Sequence, residues 1–175
     1  CDSLNSSQNQ NHDYICADFS NPEALKKKVD DYLTREQTIH ILVNNTGGPP
    51  PGQAIDAKAS EFTQAFSNHL LCNQILTQAV VPGMKTDGYG RIINIISTSV
   101  KQPIKGLGVS NTIRGAVASW AKTLSFELGE FGITVNNVLP GYTDTERLHE
   151  IFKKKSKASG ANIESVIIEA QTQIP

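Results

Sequence analysis

The segment Ile39-His40-Ile41-Leu42-Val43-Asn44-Asn45-Thr46-Gly47-Gly48 decides the fold of this chain. It begins with a short, mainly apolar run of the kind that forms a strand covered on both faces of a sheet. It then changes to asparagine and glycine, and three prolines follow at 49–51. Those residue types end a strand and predict a stiff loop. A buried strand that ends in a polar loop is typical of parallel α/β proteins, which bind ligands at that end of the sheet.

The same pattern recurs along the chain, with helical patterns between the copies. Apolar runs predict strands at 14–17, 39–43, 91–96 and 133–139. Apolar residues at helical spacing predict helices at 25–33, 60–84, 108–131 and 163–170. The first helix is expected to begin at a capping box of Ser20 with Glu23, with Pro22 in its first turn. Because strands and helices alternate strictly, we expect right-handed crossovers and a parallel sheet.

Composition limits the class of protein. The chain has 175 residues, which suits one domain, and its net charge of -1 gives no electrostatic footprint for nucleic acid. The apolar runs are short and interrupted, so none is expected to span a membrane. The polar residues 1–12 predict a loop or a disordered end rather than a signal peptide. Three scattered cysteines indicate incidental thiols, no metal site and a reducing cytoplasm.

Each loop with unusual residues directly follows a predicted strand. These loops contain Asp18, residues 44–48, residues 97–99 and residues 140–145. The carboxyl ends of parallel strands meet at one edge of a sheet. We therefore expect one composite site along that edge.

Five segments in register resemble the short-chain dehydrogenase/reductase family. They are Ala17-Asp18-Phe19, the segment 42–47, the segment 90–97, the segment 114–117 and the segment 136–145. Within the family, the pattern is similar to the 3-oxoacyl-carrier-protein reductase-like group. The resemblance implies a Rossmann-type doubly wound parallel sheet in a single partial domain over 1–175. The family's glycine-rich turn, first strand, first helix and second strand have no counterpart before Asp18, and its last strand has none before Pro175. We therefore expect an incomplete portion of a longer protein, with a natural truncated form as the alternative.

The resemblance implies hydride transfer between NAD(P)H and a small carbonyl or alcohol substrate. In the family a serine binds the substrate oxygen, a tyrosine gives the proton, and a lysine one helical turn later holds the nicotinamide ribose. Ser97 matches the serine, whereas Ser110 stands at the tyrosine position and Arg114 at the lysine position. A serine hydroxyl is far less acidic than a phenol, whose pKa is about 10, so Ser110 needs a base or water beside it. Arg114 stays charged, so it is expected to hold ribose hydroxyls without relaying a proton; the alternative is an ordinary surface ion pair.

His69 stands at the position of the family's asparagine, which holds a water in the proton relay. Histidine is the side chain best suited to exchange a proton near neutral pH. If it faces the cleft, His69 would replace the lost acid. The alternative is an ordinary surface or core histidine.

The resemblance also implies the cofactor contacts, with NADP or NAD as the cofactor. Asp18 is expected to meet the adenine edge. The adenosine ribose is expected beside Asn45, Thr46 and Gly47, where small side chains allow close approach. The nicotinamide is expected beside Pro140, Gly141, Thr143 and Thr145.

Other functions stay open at this point. The missing tyrosine and lysine favour a catalytically silent nucleotide-binding or regulatory module, and a structural subunit is the third possibility. Helices 60–84 and 108–131 resemble those by which the family forms homodimers and homotetramers. The side chains of Phe62, Phe66, Trp120 and Leu124 are expected either in such a seam or in the core. Residues 146–175 are expected to form the substrate-lid region, with a charged, mobile segment at 146–160.

Overall fold

A computed structural model describes Ser7 and residues 11–34 and 38–172 of the chain. Three parallel strands, β1 (Ile41–Asn44), β2 (Gly90–Ile95) and β3 (Ile133–Val138), lie side by side in chain order. The chain divides into two compact units, Cys1–Leu139 and Pro140–Pro175. The first unit contains the whole sheet, so the predicted parallel α/β class is confirmed.

Helices connect the strands and follow them. In chain order they are α1 (Pro22–Leu33), α2 (Ala59–Phe66), α3 (Cys72–Asp87), α4 (Gly108–Leu128), α5 (Glu146–Ser159) and α6 (Ile163–Thr172). Between α2 and α3 the helix continues through one π-helical turn, Ser67–Leu71. Short 3₁₀ turns lie at Thr98–Val100 and Gly129–Phe131. None of the helices in the described ranges is long and apolar enough to cross a membrane.

One face of the sheet is covered by α3 and α4. The two crossovers step in the same direction across the sheet, and right-handed crossovers then place both helices on the same face. The core accordingly joins Val80 and Met84 of α3 and Leu128 of α4 to Ile92 and Ile133 of the sheet. On the opposite face the side chains are more open: the edge strand β1 exposes 57% of Ile41 and 52% of Val43.

The segment 14–17 is not a strand, so this prediction is wrong. Tyr14 is 74% exposed and Ile15 is 43% exposed, because no strand in the described ranges lies beside them to form a ladder. The next residues, Ala17 and Phe19, pack instead against the cluster of Leu25 and the α3 residue Cys72. The run is apolar enough for a strand, but a strand needs a neighbour to satisfy its backbone groups.

The start of α1 also differs from the prediction. Asn21 is the N-cap, and its side chain accepts a hydrogen bond from the backbone N–H of Ala24. Ser20 instead donates its backbone N–H to Asp18 at 2.8 Å. The predicted position of Pro22 in the first turn is confirmed, because its fixed φ suits that position and it has no N–H to leave unpaired.

The predicted seam residues are mostly used within the chain. Phe62 packs against Val109 and Ile113, and Leu124 packs against the sheet core. The indole N–H of Trp120 donates to Gln74 at 2.7 Å, which joins α4 to α3. Phe66 differs from these three, because 39% of it is exposed.

The second unit is a pair of helices. Phe152 of α5 packs against Val166 and Ala170 of α6. The predicted mobile segment 146–160 is a regular helix, capped at its start by the Thr145 hydroxyl and ended by Gly160 in the left-handed region, with φ of 69°. Its many charged residues hide a few apolar ones in the sequence pattern, and α6 covers those apolar residues.

Candidate active site

A row of three asparagines crosses the sheet at its carboxyl end. Asn44, Asn94 and Asn137 are directly paired in the ladders of β1, β2 and β3. The Asn44 side chain donates to Asn94 at 2.8 Å, and the Asn94 side chain donates to Asn137 at 3.1 Å. Asn94 is 1% exposed, so each bond replaces contacts with water that folding removes. The row is a feature that the sequence analysis missed, although an asparagine near the end of three strands was a visible signal.

His69 and Thr46 meet just beyond this row. His69 is 2% exposed and lies in the π-helical turn, and its Nδ1 hydrogen bonds with the Thr46 hydroxyl. Single π turns inside α-helices occur frequently at functional sites, because they redirect one side chain. The structure therefore brings His69 to the loop that follows β1, as a buried residue in contact with a half-buried hydroxyl.

Arg114 lies against the same loop. It is 9% exposed, and its Nη2 donates to the Thr46 carbonyl at 3.2 Å while its Nη1 donates to the Ile95 carbonyl at 2.9 Å. The alternative of an ordinary surface ion pair is therefore wrong. The periodicity of α4 predicted which residues share a face, but it could not predict that two carbonyls would end at that face.

The two predicted serines lie on neighbouring elements. Ser97 directly follows Ile96 at the end of β2, and its Oγ accepts from the backbone N–H of Ser99 at 3.1 Å. Ser110 lies on α4 one helical turn before Arg114, so both project from the same side of that helix. Both serines are half-buried.

The start of α4 is fixed by the loop after β1. The Gly52 N–H donates to the Gly106 carbonyl at 2.8 Å, and the Gly108 N–H donates to the Gly52 carbonyl at 2.9 Å. A Cβ at Gly108 would lie 2.4 Å from the backbone nitrogen of Ala54, so only glycine allows this approach. The contact fixes the first turn of α4, which contains Ser110.

A cleft of about 450 Å³ opens beside the same loop. Gly47, Gly48 and Pro49 line one side, and Gln64 and Asn68 line the other. A Cβ built at Gly47 would point into open space. The loop is therefore accessible from the cleft next to Thr46.

Asp18 lies in an exposed turn before α1. The backbone N–H of Ser20, and its side chain, lower the pKa of the Asp18 carboxyl below its ordinary value. The next residue is tied to α3, because the Cys72 thiol donates to the Phe19 carbonyl at 3.3 Å. Burial, with the nearby Asp18 charge, raises the pKa of Cys72, which keeps it a neutral thiol. Cys16 is also free, and Cys1 lies outside the described residues.

The predicted nicotinamide contacts belong to the second unit. The six residues after Leu139 include all four predicted contacts, and none of the four lies in a helix: Pro140, Gly141, Thr143 and Thr145. The Thr145 hydroxyl accepts the backbone N–H of Leu148 at 3.3 Å as a helix cap. Their contact with a nicotinamide stays a prediction.

The chain is similar to known proteins over most of its length. The family model for short chain dehydrogenase matches residues 1–156. A 3-oxoacyl-[acyl-carrier-protein] reductase of Rickettsia felis is 29% identical over 135 residues, which are 77% of this chain and 56% of that protein. The chain spans little more than half the length of the curated relatives it matches.

Solved structures agree with the fold. L-sorbose reductase from Gluconobacter frateurii, crystallised with NADPH and L-sorbose, has a TM-score of 0.77 at 26% identity, over 86% of this chain and 57% of that one. An NAD+-bound xylitol dehydrogenase has a TM-score of 0.80 at 23% identity, over 93% of this chain and 64% of that one. The second likeness shows the fold alone, and that fold is of Rossmann type.

Proposed function

The chain belongs to the short chain dehydrogenase family, as its motifs predicted, and we propose that it transfers a hydride between a nicotinamide cofactor and a carbonyl or alcohol substrate. The observation that carries the proposal is the convergence of Thr46, His69 and Arg114 at the carboxyl end of the sheet, where Arg114 binds the carbonyl two residues before Ser97. Parallel α/β sheets bind their ligands at that end.

The residues in the first unit fit the adenosine half of NAD or NADP. Asp18 is exposed, and its lowered pKa keeps it an anionic acceptor for the amino group of adenine. Asn45 and Gly47 are exposed on the loop after β1, and the open space at Gly47 suits close approach of a ribose. The bound cofactor would donate or accept the hydride.

Ser97 is the residue that we assign to the substrate oxygen. Its Oγ accepts one hydrogen bond from Ser99, which leaves the hydroxyl proton to donate to a carbonyl. The half-buried position at the strand end strengthens such a bond relative to one in water. Ser110 is assigned a neighbouring place as a second hydrogen-bonding hydroxyl.

We assign the proton transfer to His69 and Thr46. With both ring nitrogens protonated, the cationic His69 ring donates from Nδ1 to the Thr46 hydroxyl, and that hydroxyl passes its own proton through a water to the substrate oxygen. As hydride adds to the carbonyl carbon, the oxygen takes a proton from the water, the water takes the Thr46 proton, and Thr46 takes the Nδ1 proton of His69. His69 is left as the neutral imidazole, and a proton from solvent restores the cation between turnovers. Oxidation of the alcohol runs the same steps in reverse.

The test compares His69→Ala with His40→Ala. His40 is exposed and paired with Asp87 at the opposite end of the sheet, so it is the matched control. Oxidation of NADPH and NADH is followed with a panel of ketones and 3-oxo thioesters from about pH 5 to 9. We expect His69→Ala to lower kcat by about 10²- to 10⁴-fold and His40→Ala to leave it unchanged. An unchanged rate in His69→Ala, with loss of turnover in Ser97→Ala, would overturn the assigned proton path.

Ser110 and Arg114 favour a second candidate function, a catalytically silent nucleotide-binding or regulatory subunit. They stand where the family has its acid and the lysine beside it. Calorimetric binding of NADPH or NADH without turnover in either direction over the same panel would establish that function instead. Absence of binding and of turnover would leave a structural role.

A further inference from the structure

We infer that Arg114 is a clamp that holds the loop after β1 against the end of β2, and that it acts as a positioning residue. The clamp is a property of the fold, whereas its effect on catalysis rests on the proposed function. The role differs from holding a ribose, which the resemblance implied for this position.

The first step of the argument is where the sheet ladder ends. The last directly paired residues of β1 and β2 are Asn44 and Asn94. Thr46 lies two residues beyond that pair, so the ladder does not hold it. Arg114 donates from one terminal nitrogen to the Thr46 carbonyl and from the other to the Ile95 carbonyl. The guanidinium therefore joins the segment after β1 to the end of β2, at the point where the pairing of these two strands stops.

The second step is the choice of arginine. A guanidinium has N–H groups in a rigid planar fork, which suits two acceptors at fixed positions. Hydrogen bonds from a charged donor are about twice as strong as neutral ones. A buried cation also costs free energy unless its donors are bonded, so Arg114 favours the arrangement in which both carbonyls face it.

The third step is that His69 holds the same residue from another direction. Arg114 of α4 binds the main chain of Thr46, and His69 of the π-helical turn binds its side chain. Held at both points, Thr46 has little freedom to turn. The Ile95 carbonyl lies two residues before Ser97, so the same clamp steadies the approach to the predicted substrate serine.

The opposite end of the sheet provides a matched control. Nη1 of Arg91 donates to the Gly90 carbonyl at 2.7 Å and to the Gly132 carbonyl at 3.1 Å. Arg91 thus also binds two backbone carbonyls, and it joins the start of β2 to the residue that precedes β3. The same substitution at the two arginines should loosen different ends of one molecule.

The experiment measures backbone ¹⁵N order parameters of the 19.0 kDa chain, without cofactor or substrate. In Arg114→Gln we expect the values of Thr46, Gly47 and Gly48 to fall from about 0.85 to below about 0.6, with Gly132 unchanged. Arg91→Gln should leave Thr46, Gly47 and Gly48 rigid. Arg114→Lys should give intermediate order parameters at these three residues, because lysine keeps the charge but lacks the planar fork. It replaces Arg114→Gln in the experiment if the glutamine variant does not fold. Wild-type values at the three loop residues in a folded variant would overturn the clamp, and so would an equal loss at Gly132.

A second readout separates the clamp from the proposed function. If the chain turns over, Arg114→Lys should lower kcat about 10-fold or more and leave the pH profile in place, since Arg114 moves no proton. A shifted pH profile would overturn the positioning role. Loss of loop order with no turnover in the wild type would confirm the clamp and reject the oxidoreductase function.

Discussion

The two ends of the sheet are stabilised by different kinds of contact. At the amino end, Met84 fills the space above Gly90, where a Cβ would lie 2.5 Å from its sulfur, and Gly132 approaches the Gly88 carbonyl. At the carboxyl end the asparagine row, His69 and Arg114 form buried or partly buried hydrogen bonds. Close packing at glycines therefore stabilises the amino end, whereas polar contacts stabilise the carboxyl end.

The comparison of Arg91 with Arg114 shows why this matters. Each donates to two backbone carbonyls, but Arg91 is half-buried over the ring of Tyr89, at 4.2 Å, whereas Arg114 is buried and shares its partner Thr46 with the buried His69. A half-exposed clamp can exchange its bonds with water at small cost, and a buried one cannot. The buried polar contacts at the carboxyl end therefore fix the positions of their side chains, as a functional site requires. Apolar packing at the amino end does not depend on such exact positions.

Gly132→Ala is expected to give the largest effect. The residue has φ of 72°, and a Cβ would lie 2.3 Å from the Gly88 carbonyl oxygen. Left-handed backbone and a backbone clash together should lower the free energy of unfolding by about 3 kcal/mol. Urea denaturation measures it, with Gly129→Ala as the control, since a Cβ there meets open space and the backbone is helical. Equal urea midpoints for the two variants would contradict the importance of close packing at Gly132.

Asn94→Ala tests the polar end. It removes both bonds of the row and leaves Asn44 and Asn137 without their partner, so the free energy of unfolding should fall by about 2 kcal/mol. The control is Asn136→Ala on the open face, where the exposed side chain donates to Thr134 at 3.3 Å and the loss should stay under about 0.5 kcal/mol. If both variants lose the same stability, the row is no more than a coincidence of register.

The smallest expected effect is a dependence on acid pH. The Ser20 N–H lowers the pKa of Asp18 below its ordinary value of 3.8, so the unfolded chain takes up this proton first. The stabilisation is present above that ordinary value and is lost as pH falls through the lower folded-state pKa. The midpoint temperature of thermal unfolding should change slightly less with pH in this acid range for Asp18→Asn than for the wild type. A steeper slope for Asp18→Asn would reverse the assigned sign.

The alternation of elements was predictable because each one depends on residues close in sequence. The apolar runs predicted β2 and β3 to within one residue, and the helical period predicted the first residue of α4 but placed its end three residues late, where the chain forms a 3₁₀ turn. The segment 14–17 failed for the converse reason, since a strand depends on a neighbour that the local pattern does not contain. The π-helical turn at Ser67–Leu71 was also hidden, because its residues fit an uninterrupted helix equally well.

For the site, the sequence by itself determined which side chains reach the carboxyl end of the sheet. Ser97 and Thr46 follow from strand ends, which are local features of the sequence, and Arg114 follows from the family resemblance, with helical spacing placing it on the same face as Ser110. Tertiary structure alone decided what those side chains bind. Thr46, His69 and Arg114 come from three separate elements, and their hydrogen bonds exist only once the strands are in register and the helices cover them. Hydrogen bonding depends on distance and direction to within tenths of an ångström, which no pattern of residue types specifies.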